Sequence, residues 1–153
     1  MNPFVLNLLG KKASEIHPAY KINCFNTVVS YFKNQLDDGK ISAQAMLDWL
    51  QAHTEQISES DRDIETIVVL WSSTDPSISP EIIQIADLKR EAAGYPFGLV
   101  MEHAAIFVTP TDVFQKASPS DEHKFEIVEF SRMIIQDYSH TPWLKTTLHK
   151  MKS

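Results

Sequence analysis

Cys24 is the single cysteine of the chain, and it falls in the string Asn23-Cys24-Phe25-Asn26-Thr27, where an extended segment gives way to an amphipathic helix. Backbone N–H groups in a first helical turn lack intrahelical partners. With the helix dipole they stabilise a thiolate and can donate to an oxyanion. A nucleophile placed there still needs a base. His103, in Glu102-His103-Ala104-Ala105-Ile106-Phe107-Val108, stands at the head of an apolar strand and is the candidate. A thiol and an imidazole brought together form the pair through which cysteine hydrolases make and break a thioester.

A third polar residue would hold the imidazole in place. Side chains alternate faces along a strand, so the loop after Val108 decides which residue shares the side of His103. If that loop is Thr109, Pro110 and Thr111, Val108 faces Asp112 and Gln115 points the same way as His103. A two-residue loop would put Lys116 there instead, a poor orienter for an imidazolium. The carbonyl of Gln115 can accept from one ring nitrogen and leave the other free for the thiol. Each residue also has a plainer reading: a lone cysteine near a helix start is commonly a small buried hydrophobe, and His103 and Gln115 are also acceptable as ordinary strand residues. His17, His53, His123, His140 and His149 lie among polar or helical surroundings, read as surface residues, and show no metal-ligand spacing. No metal or cofactor is expected.

The elements that must position these groups follow from periodicity. A helix is expected from about Cys24 to Leu36, with Phe25, Val28, Val29, Phe32 and Leu36 on one face, and another after Ser42 with Ala45, Met46, Trp49 and Leu50 inward. Ile64 to Trp71 reads as a central strand. Turn chemistry at Ser72 to Ser77 then leads to Ser79-Pro80-Glu81, a capped helix start, for a helix ending at Gly94. Strands are expected at Leu99 to Val108, Val113 to Ala117 and Lys124 to Val128, then a helix with Phe130, Met133, Ile134 and Tyr138. Thr141-Pro142-Trp143 reads as the opening of a last short helix. Trp49, Trp71 and Trp143 read as core or cleft walls. The layout is α+β, helices first and then an antiparallel sheet, in one domain spanning 1–153 with a helical insertion at about 72–98.

Composition sets outer bounds. At 153 residues the chain can bury a core without disulfides or structural metal. Its net charge of -6 disfavours nucleic acid and anionic membrane surfaces as partners. The opening Met1 to Leu9 is apolar but short, broken by Pro3 and Asn7, and its lysines come after the apolar stretch; it does not read as a signal peptide. No stretch approaches the roughly 18 apolar residues of a membrane span.

The ordered set resembles the NlpC/P60 cysteine peptidases of bacterial cell walls, which have a trimmed papain-like fold. In that family a helix opens with an Asp-Cys-Ser-Gly-like motif, matched in place by Asn23-Cys24-Phe25-Asn26. A hydrophobic strand then precedes a His-Val-Gly-Ile-Tyr-like strand, as Ile64 to Trp71 precedes His103 to Phe107. The third family residue, a His, Asn or Gln, corresponds to Gln115. Phe25-Asn26 replaces Ser-Gly, Ala105 replaces a small Gly, and the 72–98 connection is longer than usual. The resemblance covers about Tyr20 to Tyr138. It implies Cys24, His103 and Gln115 as the catalytic set and Tyr20 as a substrate-subsite residue. It also implies a peptide or peptidoglycan fragment as substrate, cut beside a γ-linked D-glutamyl residue, and a place in the cell envelope or outside the cell. The same fold class also houses acyltransferases and amidases acting on lipids or proteins, secreted toxin-like cell-wall amidases, and inactive binding domains.

Overall fold

The computed structural model describes residues 2–18, 20–78, 83–91, 94–141 and 143–153. Helices α1 (Pro3–Leu8), α2 (Ala13–Ile16), α3 (Cys24–Lys33) and α4 (Ala43–His53) come first. Strands β1 (Thr54–Ile57), β2 (Ile67–Ser72), β3 (Val100–Phe107), β4 (Asp112–Lys116) and β5 (Phe125–Glu129) come next, then α5 (Phe130–Tyr138) and β6 (Lys145–Met151). The strands form one antiparallel sheet in the order β1-β6-β2-β3-β4-β5. The architecture is α+β.

Burial on both faces explains why β2 reads as an unbroken apolar run: Ile67 to Trp71 are all at most 1% exposed. Ile67, Val69 and Trp71 join the larger core with Phe25, Val28 and Tyr31 of α3 and Met46 and Leu50 of α4. Val68 and Leu70 join a smaller core with Ala105, Phe107 and Met133, against which Tyr138 packs. Helices α3 and α4 thus cover one face and α5 the other. The register slips once, since Leu70 pairs with His103 but Trp71 with Met101, leaving Glu102 as an extra residue on β3.

Two expected helices are replaced by other structure. The proposed start Ser79-Pro80-Glu81 lies outside the described residues, but the described remainder of the insertion after β2 holds no α-helix, only 3-10 turns at Ile85–Asp87 and Pro96–Gly98 and a single bridge between Glu91 and Gly94. Side chains of α4 and β1 take the backbone groups that a helix would pair internally. Gln51 Nε2 donates to the carbonyls of Ile85 (2.8 Å) and Leu88 (2.9 Å). Gln56 donates to Ile83 O (2.7 Å) and accepts from Ile85 N (2.9 Å). Ile78, Ile83, Ile85 and Leu88 are buried in the larger core, so the insertion is bound to the α4 side of the sheet. Its last turn needs Gly98: φ is +62°, and a Cβ there would run into the Thr74 side chain. The second replacement is at the C-terminus. Pro142 lies outside the described residues, and beyond Trp143 the chain forms β6, inserted between β1 and β2, in place of a helix.

Among the described residues no helix is long and apolar enough to cross a membrane.

Candidate functional site

Cys24 is the first residue of α3. Asn23 caps the helix, its side chain accepting from Asn26 N at 3.0 Å while Asn26 Oδ1 accepts from Asn23 N at 2.6 Å. The remaining amide groups tie down the loop after the helix, Asn23 Nδ2 to Ile41 O (2.8 Å) and Asn26 Nδ2 to Asp37 O (3.0 Å). A reciprocal cap needs a side-chain acceptor three residues after Asn23, and the tie to Asp37 O needs a donor on the same side chain, which gives Asn26 a structural reason to stand where the family motif has Gly.

His103 and Gln115 meet. The hairpin pairs Ile106 with Phe114 and Phe107 with Val113, and Val108 N donates to Asp112 O, which is the three-residue loop. Gln115 therefore shares the face of His103, and their Oε1 and Nε2 lie 2.6 Å apart. A carbonyl oxygen only accepts, so the ring donates from Nε2 and carries its lone pair on Nδ1. That Nδ1 is buried with no hydrogen-bond partner among the described residues. Gln115 Nε2 in turn donates to Glu126 Oε1 at 2.9 Å. Lys116 points the other way, fully buried, its ammonium held by the carbonyls of Ser118 (2.7 Å) and Ser120 (2.9 Å).

The thiol comes to this pair from the opposite face. Ala104 and Ile106 face α3, whereas His103 shares the α5 side with Ala105 and Phe107. The sheet is open between them. The β3–β4 ladder stops at Ile106–Phe114, so Ala104 and Lys116, the next pair that would exchange hydrogen bonds in this register, are not joined. The Ala104 N–H that a continued ladder would give to Lys116 instead favours the charged form of Cys24. Cys24 therefore meets the sheet where β3 and β4 part. Tyr138, on the far face with its ring 5.8 Å from that of His103, is within electrostatic reach of the thiol, its ionisation opposed first by burial and next by the Cys24 charge. No hydrogen bond joins Cys24 to His103.

Both groups are neutral at pH 7. Burial pushes the Cys24 thiol up to about 11, against the backbone N–H groups of Ala104, Cys24 and Phe25 and the charge of Lys116. Burial also lowers the pKa of His103, opposed by the Gln115 hydrogen bond and the charge of Asp137. A cavity of about 650 Å³ opens on the α5 side, walled by His103, Gln115, Glu126, Arg132, Asp137 and Tyr138 among others. Cys24, 8% exposed, does not line it, and no described residue of the insertion does. Tyr20, the expected subsite residue, is also absent from it: half-buried against the larger core, it stacks on His17 with ring centroids 4.9 Å apart.

Sequence reasoning missed Glu126 and misread His149. Glu126 faces Gln115 only because β5 pairs with β4 in that register. His149, expected at the surface, is fully buried, its Nε2 2.8 Å from Thr147 Oγ1, because β6 is an interior strand. Among the described residues, no group of three or more His, Cys, Asp or Glu is placed to hold a metal ion. Compared with known family models, curated proteins and solved structures, the chain matches none.

Proposed function

We propose that this chain is a cysteine hydrolase of the papain-like NlpC/P60 type, cleaving an amide bond through a thioester on Cys24. The observation that carries this reading is the imidazole of His103, held at Nε2 by Gln115 with a bare Nδ1, beside a helix N-terminus that presents the only thiol. Two buried ring nitrogens lack partners among the described residues, Nδ1 of His103 and Nδ1 of His149; that of His103 is the one at the strand Cys24 meets, and a catalytic role is one reason a fold keeps such a group.

The chemistry starts from two neutral groups. Nδ1 of His103 takes the thiol proton as sulfur attacks the amide carbonyl carbon and forms the C–S bond. The carbonyl electron pair moves onto oxygen, which the Cys24 N–H of the first helical turn can stabilise. Collapse breaks the C–N bond, the imidazolium gives its proton to the departing amine, and a thioester remains. Water then attacks, its proton passing to His103, and the carboxylic product leaves with the thiol restored. The substrate class implied by the resemblance is the stem peptide of peptidoglycan, cut beside the γ-linked D-glutamyl residue.

The test is digestion of stem-peptide fragments by wild type, Cys24→Ala and His103→Ala, with the products read by mass spectrometry. Wild type should release a new amine and pass through an acyl adduct on Cys24, with at least a roughly hundredfold loss in either variant. Transfer of the acyl group to an added amine in preference to water would make the enzyme an acyltransferase. The burial of Cys24 favours a second reading, a binding domain of the same fold. Fragments that bind with no turnover and no adduct would decide for it and sink the hydrolase reading.

A further inference from the structure

We propose that Glu126 is a positioning residue of this site: its carboxylate fixes the rotamer of the Gln115 amide and through it selects the ring nitrogen on which His103 carries its proton. The inference rests on the hydrolase reading for its purpose, but not for its geometry.

An amide side chain has two faces that differ by one flip. With Nε2 toward Glu126 (2.9 Å) and Oε1 toward His103 (2.6 Å), every contact pairs a donor with an acceptor. The flipped amide would set its carbonyl oxygen against the Glu126 carboxylate, two acceptors face to face, and would present an N–H to His103 Nε2. In that state Nε2 would have to carry the lone pair and Nδ1 the proton, and the base would be lost on the side turned away from Gln115. A carboxylate accepts only, so it permits one rotamer and one tautomer.

The strand register makes the arrangement stiff. Gln115 and Glu126 are direct cross-strand partners in the β4–β5 ladder, which runs unbroken from Asp112–Glu129 to Lys116–Phe125. The ladder to β3, by contrast, has ended before Gln115 is reached. Gln115 is thus carried by β5 and reaches His103 across the opening between β3 and β4. Glu126 is half-buried, and no ion pair among the described residues draws its carboxylate away from Gln115.

The experiment is nitrogen-15 NMR of the His103 ring in wild type, Glu126→Ala and Glu126→Gln, with the hydrolysis rate measured alongside. Wild type should show the Nε2–H tautomer alone. Glu126→Ala should show both tautomers, with hydrolysis down about tenfold, as for loss of one hydrogen bond to a charged group. Glu126→Gln fills the same space, but its amide can turn to donate to a flipped Gln115, so it should lose the selection and also show both tautomers. A residue that only held β5 in place would leave the tautomer unmoved. An Nδ1–H ring in wild type, or a folded Glu126→Ala protein that keeps a pure Nε2–H ring, overturns the proposal. A tautomer that shifts in a protein that cleaves nothing sustains it while removing the hydrolase reading.

Discussion

At Cys24 the opposing effects on one group can be weighed. Being first in α3 brings it the N–H groups of its own turn, and the open ladder adds that of Ala104, with Lys116 supplying a positive charge. Burial outweighs them all and leaves the thiol at about 11. The resting protein should therefore react with iodoacetamide at pH 7 about a hundredfold more slowly than a free cysteine, whose thiol ionises near 8.5. Its rate should still be climbing at about pH 10, and Lys116→Met should slow it further. An inflection below about pH 8 would overturn this account of the burial. The string Asn23 to Thr27 was enough to place the cysteine at a helix start, whereas the parity of β3 and β4 put Gln115 on the side of His103 only for a three-residue loop, with Lys116 the alternative until the hairpin fixed the loop length. Glu126 was out of reach of that reasoning, because its place depends on the pairing of β5 with β4 across the 117–124 connection, whose length fixes no register.

At the scale of elements, the start of α3 depends on two asparagines that use both ends of their amides. Replacing Asn23 by Ala removes the acceptor for Asn26 N and the donor to Ile41 O, and should cost about 1–2 kcal/mol. For a chain of this size that is a fall in Tm of about 3–6 °C, measurable by thermal melting. Asn23→Asp keeps the cap but not the donor and should recover about half. Elements whose burial is apolar were legible: β2 through its continuous run, α3 through its amphipathic face. Strand β6 was not, because its side chains toward α4 include Thr147 and His149, a polar pair on a buried face. They are partly satisfied there, since Thr147 Oγ1 meets the Trp71 indole N–H at 2.9 Å and His149 Nε2 at 2.8 Å, while His149 Nδ1 has no partner among the described residues. The 72–98 insertion misled for the opposite reason. Its local signals are those of a helix start, and tertiary hydrogen bonds from Gln51 and Gln56 draw the described backbone away from one.

Across the whole molecule, one sheet with helices on both faces leaves two imidazoles buried, and they set how the fold responds to acid. Burial lowers the pKa of His149 to about 4, and burial likewise lowers that of His103. Each folded value lies below the unfolded one of about 6.5, so the unfolded chain binds more protons in the interval between them. Stability is therefore full above about pH 6.5 and is lost as pH falls toward about 4. The most that His149 can contribute to this loss is about 3 kcal/mol, its shift in pKa converted to free energy. Urea unfolding of wild type should show a midpoint that drops steeply between about pH 6.5 and 4.5. In His149→Gln, which takes no proton, the drop should be shallower even if the variant is less stable at pH 7. Equal slopes in the two proteins would mean that His149 is hydrated or paired in a way that lets it charge without cost. The acid response would then belong to His103 and the carboxylates.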